Sequence, residues 1–311
     1  MTPSLRPAPA RPRRRALVAV IAAAAATALL AGCSAPAPAA DGRSLVPGVG
    51  SGVSASPELA AVSPAAASVS GGDVLTLTGT ALDGVDRVTV GGREAADVTV
   101  VSGTEVTAVA PRTAEYQADS GEVVAWVGDE QVAAEVAPVV QYEVRTGIDR
   151  QLSYALKHWQ REDYNLDEWG TLNPVGGDCA NFVSQTLIQR GWEMTDDWFS
   201  YDQSANRTGS WGYVPAMDAW LEANAEQYGL TKLSSEQRDQ VKVGDIVMFD
   251  WERNGTNNHV QIVSDVVHEA DGSISILMVG HNKDTDFRDF DETITVDWPG
   301  GAGYFWSIPA A

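Results

Sequence analysis

The chain has 311 residues, is 44% hydrophobic and 20% charged, and carries a formal net charge of −21 at pH 7. That acidity excludes nucleic acid and anionic lipid headgroups as partners, because both are held by clustered Lys and Arg. The length suggests two domains, and two cysteines are too few for a disulfide framework.

At the N-terminus, Arg11, Arg13, Arg14 and Arg15 precede a short Ala-rich apolar stretch, Ala16 to Leu30, which ends in Leu30-Ala31-Gly32-Cys33. This is the layout of a secretory signal rather than of a membrane span. Its ending resembles a bacterial lipobox. The resemblance implies a lipoprotein signal peptide over 1–32, lipidation at Cys33, and an exported chain held by that lipid on the extracytoplasmic face of the cell membrane. Loss of Arg6 with the four other arginines would take the net charge from −21 to −26. Residues 33–56 are rich in Ala, Pro, Gly and Ser without a hydrophobic period and read as a flexible tether.

From Pro57 the texture becomes that of an all-β unit. Val74-Leu75-Thr76-Leu77-Thr78, Val88-Thr89-Val90 and Val98-Thr99-Val100-Val101 are β-type runs. They are separated by Gly71-Gly72, Asp83-Gly84, Gly91-Gly92 and Ser102-Gly103, at the spacing of a β-sandwich. With Ser63-Pro64 and Val109-Ala110-Pro111, the order of these turns resembles an IPT/TIG immunoglobulin-like domain over 57–145. No catalytic constellation is visible there, so the expected role is spacer or weak binding module.

The remainder, 146–311, holds nine of the ten tryptophans and therefore the larger core. Apolar residues at 148, 152, 155, 156 and 159 predict a first helix. A second is predicted over 179–190, with Asp178 as N-cap and Gly191 just beyond its end. A third amphipathic stretch runs from Val214 to Tyr228. Strands are predicted at Asp245–Phe249, His259–Val267, Ser273–Val279, Thr293–Val296 and Tyr304–Ile308. Helices first and antiparallel strands afterwards is an α+β order.

With Cys33 processed, Cys179 is the single thiol of the mature chain. An unpaired thiol at a helix N-terminus in an exported protein is a candidate nucleophile, since amides and macrodipole there favour the thiolate. A base must come from four histidines. His158 reads as a surface or packing residue and His268 as a solvated turn residue. His259 opens a strand after the polar loop Asn254-Gly255-Thr256-Asn257-Asn258, and His281 ends the next strand, beside His259 if the two strands pair. Asp245, in Gly244-Asp245, reads as a turn residue. Two histidines and one thiol fit a triad better than zinc, so neither metal nor cofactor is expected.

Asp178-Cys179-Ala180-Asn181-Phe182-Val183-Ser184-Gln185, Ser210-Trp211, Val243-Gly244-Asp245-Ile246-Val247, His259-Val260-Gln261-Ile262-Val263 and Gly280-His281-Asn282-Lys283-Asp284-Thr285 together resemble the bacterial "putative amidase" domain family. That family stands with the papain-like cysteine peptidases and amidases, near the NlpC-type and CHAP hydrolases. Ala180 departs from the Thr often found in its place. The resemblance implies a papain-like fold, Cys179 as nucleophile, His259 as base and then acid, and His281 as the residue orienting it, with Asn282 as rival for that third role. As a strand neighbour of His281, Asn282 would point to the opposite face. The Cys179 amide would be one oxyanion donor and Asn173, six residues earlier, another. Trp211, with Trp192 and Trp198, would line the cleft or belong to the core.

The function implied is a surface-tethered cysteine amidase or peptidase acting through an acyl-thioester, with cell-wall peptide as its partner by location. Two alternatives stand beside it: a non-catalytic wall- or partner-binding lipoprotein, and an acyltransferase or transpeptidase of the same fold.

Overall fold

A computed structural model describes residues 55–310. The expected signal peptide, Cys33 and nearly all of the expected tether lie outside the described residues. Among the described residues no helix is long and apolar enough to cross a membrane.

The first unit is built from ten strands: β1 (Glu58–Ser63), β2 (Ala66–Ser68), β3 (Val74–Thr80), β4 (Arg87–Val90), β5 (Arg93–Glu94), β6 (Ala96–Ser102), β7 (Glu105–Val109), β8 (Asp119–Val127), β9 (Glu130–Gln131) and β10 (Val139–Glu143). One sheet runs β1-β3-β7-β6; the other runs β2-β10-β8-β4-β5, with β9 pairing β8. Alternation decides which side chains lie between them. Leu75 and Leu77 of β3, Val106 and Ala108 of β7, and Val123 and Ala125 of β8 are all buried.

The second unit begins with α1 (Gly147–His158), α2 (Leu166–Trp169) and α3 (Cys179–Arg190). There follow a small hairpin, β11 (Ser200–Tyr201) and β12 (Asn206–Arg207), then α4 (Gly209–Gly212), α5 (Val214–Ala223) and α6 (Ala225–Tyr228). The strands come last, as β13 (Thr231–Ser234), β14 (Ile246–Asp250), β15 (His259–His268), β16 (Ile274–Gly280), β17 (Thr285–Asp289) and β18 (Ala302–Ser307). They form one antiparallel sheet in the order β13-β18-β14-β15-β16-β17.

Helix α3 is buried around its whole girth from Cys179 to Leu187, which marks it as the central helix of the unit. Met248, Val260, Ile262 and Val279 face it and share its core. Val247, Phe249, Val263, Met278, Phe290 and Phe305 form a second cluster on the other face of the sheet. The end of α3 is held by Arg190, which is buried and donates to Gln151 Oε1, 2.6 Å, and to the Pro309 carbonyl, 2.8 Å.

Two expectations change. The predicted strand Thr293–Val296 is helical: α7 (Phe290–Glu292) leads into a π-helical turn, Thr293–Asp297. The Asp289 carboxylate accepts from the Glu292 amide, 2.8 Å, and capping overrides the alternation of the following residues. The edge strand beside β16 is instead the polar β17. The amphipathic stretch 214–228 is broken at Asn224, whose side chain donates to the Trp220 carbonyl, 2.8 Å.

The two units meet through polar contacts. Thr146 and Asp149 form a capping box on α1, and Asp149 Oδ1 also accepts from Ser68 Oγ, 2.6 Å, and the Ser70 amide, 3.1 Å. Tyr116, fully buried, donates to the carbonyl of Ser264, 2.6 Å, the residue at the β15 bulge. Arg112 Nε donates to Asp265, 3.1 Å. Burial pushes the Asp149 carboxyl up, yet the bonds from Ser68, Ser70 and the Thr146 and Arg145 amides outweigh it and hold the group below its ordinary 3.8. This contribution is present above the unfolded value and is lost as pH falls through the lowered one. Asp149→Ala is expected to cost about 2–3 kcal/mol, since it removes a cap and strands buried donors. Urea unfolding at neutral pH measures it; a loss below about 0.5 kcal/mol would show that water replaces these bonds.

Candidate active site

Cys179 stands at the first position of α3, 7% exposed, and is the free cysteine of the described residues. It opens into a cleft of about 360 Å³ whose other lining includes Gly177, Arg207, Tyr213, Val214 and Asn257. Val175 and Tyr213 stand at its mouth with 70% and 62% of their surface exposed.

Burial pushes the thiol up from its ordinary 9.0 to about 11. The amides of Val260 and Ala180 bond to the sulfur and oppose the shift, while the Asp178 charge adds to it. The helix N-terminus therefore does not outweigh desolvation in this arrangement, contrary to the expected bias toward thiolate.

Asp178 occupies the N-cap position without capping the helix through its side chain. Its Oδ1 accepts from the Leu172 amide, 2.6 Å, and Asn181 Nδ2, 3.0 Å, while Oδ2 meets His281 Nδ1 at 2.7 Å. His281 is 1% exposed and stacks between Tyr164 and Phe182, with ring centroids 3.5 and 3.9 Å away. Its Nε2 donates to the His158 carbonyl, 2.7 Å. A carbonyl only accepts, so Nε2 carries a hydrogen and Nδ1 shares a proton with the Asp178 carboxylate.

His259 lies elsewhere. It pairs across the sheet with Phe249, and its ring lies against those of Phe249 and Trp251, with centroids 6.1 and 5.7 Å away. It therefore leaves β15 on the face opposite α3, while Cys179 meets the strand through the amide of Val260. The expected relay, in which His281 accepts from His259, is not formed: both ring nitrogens of His281 are engaged by Asp178 and His158. The strands do pair, but Ile262 opposite Val279 carries His281 toward the α3 side. His259 Nε2 is buried without a hydrogen-bond partner among the described residues.

Burial, then the charges of Arg288 and Lys283, lower His259 from 6.5 to about 3, so the imidazole is neutral at pH 7. For this depressed group the stabilising contribution is complete above pH 6.5 and is lost as pH falls toward the lowered value. Stability is expected to fall by up to about 1.4 kcal/mol per pH unit below pH 6.5, and His259→Gln to flatten that slope. Denaturant midpoints from neutral pH down to about pH 4.5 measure it, and an unaltered slope in the variant would assign the acid sensitivity elsewhere.

Asn282 does not obey strand alternation, because β16 ends at Gly280 and Asn282 has φ 62°. Its Oδ1 accepts from the Asp178 amide and its Nδ2 donates to Asn173 Oδ1. Gly177, φ 140°, leaves room for this: a Cβ there would lie 3.2 Å from Asn282 Oδ1. Asn173 and Asn282 thus brace the turn before Cys179, and neither lines the cleft. Trp211 is fully buried and donates to Asn181 Oδ1, 2.7 Å. It stacks on Trp169 and packs at a tilt against Trp198 in the core, and its neighbour Gly212 lines the cleft instead. Trp192 packs on Tyr228.

Asp178 and Arg207 are the site residues that motif reasoning passed over. Adjacency to Cys179 pointed to the first, and no local signal pointed to the second.

Two family descriptions match the chain: the Putative amidase domain over residues 146–306, just over half of its length, and the IPT/TIG domain over 57–142. No curated protein matches it. Among solved structures, the plexin A4 extracellular region is 23% identical over 27% of this chain, TM-score 0.23. An auxiliary nutrient binding protein from Bacteroides ovatus is 18% identical over 29%, TM-score 0.21. A Bacteroides ovatus glucan-utilisation protein, SGBP-B, in complex with a mixed-linkage heptasaccharide, is 10% identical over 81%, TM-score 0.24. The chain spans 8%, 21% and 52% of these three chains respectively. None of the three likenesses bears on function.

Proposed function

The chain belongs to the Putative amidase domain family, and from that premise we propose that it is a cysteine amidase or peptidase acting through an acyl-thioester on Cys179. The observation that supports this reading is the placement of the one described thiol at the head of a buried helix, open to the cleft, with backbone amides on its sulfur.

His259 is the proposed base, by elimination. His281 has both nitrogens engaged, His158 Nδ1 meets the Asp163 carbonyl at 2.6 Å, and His268 is exposed at the far end of β15. His259 has an unpartnered nitrogen and adjoins Val260, whose amide meets the sulfur. Because the side chain leaves the strand on the face opposite α3, bringing the imidazole to Cys179 requires the start of β15 to shift as well as the ring to turn when substrate fills the cleft.

In the acylation step the thiol proton passes to the imidazole, the sulfur bonds to the amide carbon, and the amine leaves with that proton. Water then attacks the thioester with His259 again as base, releasing the carboxylic acid and the thiol. The Cys179 amide, at the helix N-terminus, is the proposed oxyanion donor.

The proposed substrate is a cell-wall peptide, reached by a chain exported and lipid-anchored at Cys33 and carried on the IPT/TIG unit. Incubating purified peptidoglycan with wild type should release new amino termini, and Cys179→Ala should release none. Equal release by both would remove the thiol from the mechanism.

A further inference from the structure

We propose that Arg207 is the specificity residue of this cleft and that it takes a free carboxylate on the amide substrate; this rests on the cleft of Cys179 being the substrate site. Arg207 is the one charged residue among those lining the cleft. It also lines an adjoining groove of about 300 Å³ with Thr208, Gly209, Gly212 and Tyr213, so the guanidinium lies where two hollows join. Neither hollow has a carboxylate in its lining, and no ion pair among the described residues includes Arg207.

The side chain is held in place without its charge being neutralised. Nη1 donates to the Ser204 carbonyl, 2.6 Å, and β12 fixes the backbone by pairing Arg207 with Ser200. The stem lies over Gly212, where a Cβ would come within 3.0 Å of Arg207 Nε and 2.5 Å of Leu172 Cδ1. Of the five N–H groups of a guanidinium, one bond to a carbonyl leaves enough for a bidentate carboxylate pair. A chain of net charge −21 repels anions over most of its surface, so an uncompensated arginine in the cleft selects for one. Exposed Tyr213 and Val175 flank it as apolar contact for the peptide.

The test is binding by the full chain carrying Cys179→Ala, which cannot turn over. Calorimetry compares two N-acetylated pairs: Ala-Glu-Ala amide against Ala-Gln-Ala amide for a side-chain carboxylate, and Ala-Ala-Ala against its amide for a terminal one. In at least one pair the free carboxylate should bind about tenfold tighter. That preference should vanish with Arg207→Gln, persist in part with Arg207→Lys, and collapse between about 10 mM and about 1 M salt. No preference in either pair, or a preference that survives Arg207→Gln, overturns the proposal. Failure of the nucleophile reading shows separately, as hydrolysis of wall peptides by Cys179→Ala.

Discussion

Cys179→Ala should lower amide hydrolysis by about ten-thousand-fold or more, with little change in unfolding midpoint, because the lost group is the proposed nucleophile. The resting thiol adds a sharper expectation. With burial holding it at about 11 and His259 at about 3, the pair is thiol and neutral imidazole at pH 7. The raised thiol value means that the proton is bound more tightly in the folded chain than in the unfolded one, so the thiolate fraction grows with pH throughout the neutral range. Alkylation by iodoacetamide should therefore quicken about tenfold per pH unit from about pH 6 to about pH 9, without a plateau. A fast, flat profile at neutral pH would mean that a thiolate–imidazolium pair is already formed. Peptide occupying the cleft should flatten the wild-type profile, through His259, and leave that of His259→Ala unaltered.

His281→Phe is expected to cost about 3–5 kcal/mol, because it removes one partner of a buried hydrogen-bonded pair while keeping the ring stack. Phenylalanine still packs between Tyr164 and Phe182, so the cost reports the loss of the donor to Asp178 Oδ2. The carboxylate would remain buried with bonds only from the Leu172 amide and Asn181. Replacing the stranded carboxyl in His281→Phe/Asp178→Asn should recover a large part of the loss. Denaturant unfolding of both variants decides it; a single-variant cost below about 1 kcal/mol would mean that water reaches Asp178. Since Asp178 directly precedes Cys179, the single variant should also alter the alkylation rate of that thiol.

Most of the fold was legible in local pattern. Alternating Val and Thr with paired-glycine turns marked the sandwich, 3.6-residue spacing marked α1, and the flanking Asp178 and Gly191 marked α3. Where the pattern misled, capping or turn chemistry prevailed, as at Asp289 before the helical 290–297 and at Asn224 within 214–228. Strand β17, Thr285–Asp289, carries no apolar alternation and belongs to the sheet only because β16 offers it an edge.

For the site, the sequence by itself determined which chemistry is possible: a thiol at a helix head, histidines at two strand ends, and asparagines at 173 and 282. The tertiary structure alone decided how these groups face one another. It set His259 against Phe249 and Trp251, His281 against Asp178, Asn282 on the turn before Cys179, and Arg207 at the edge of the cleft. The physical reason is that side-chain direction depends on register and on competition for buried partners. His281 lies on the α3 side of a paired strand, where an unpaired Asp178 carboxylate would be costly, and that demand claims the ring before catalysis can.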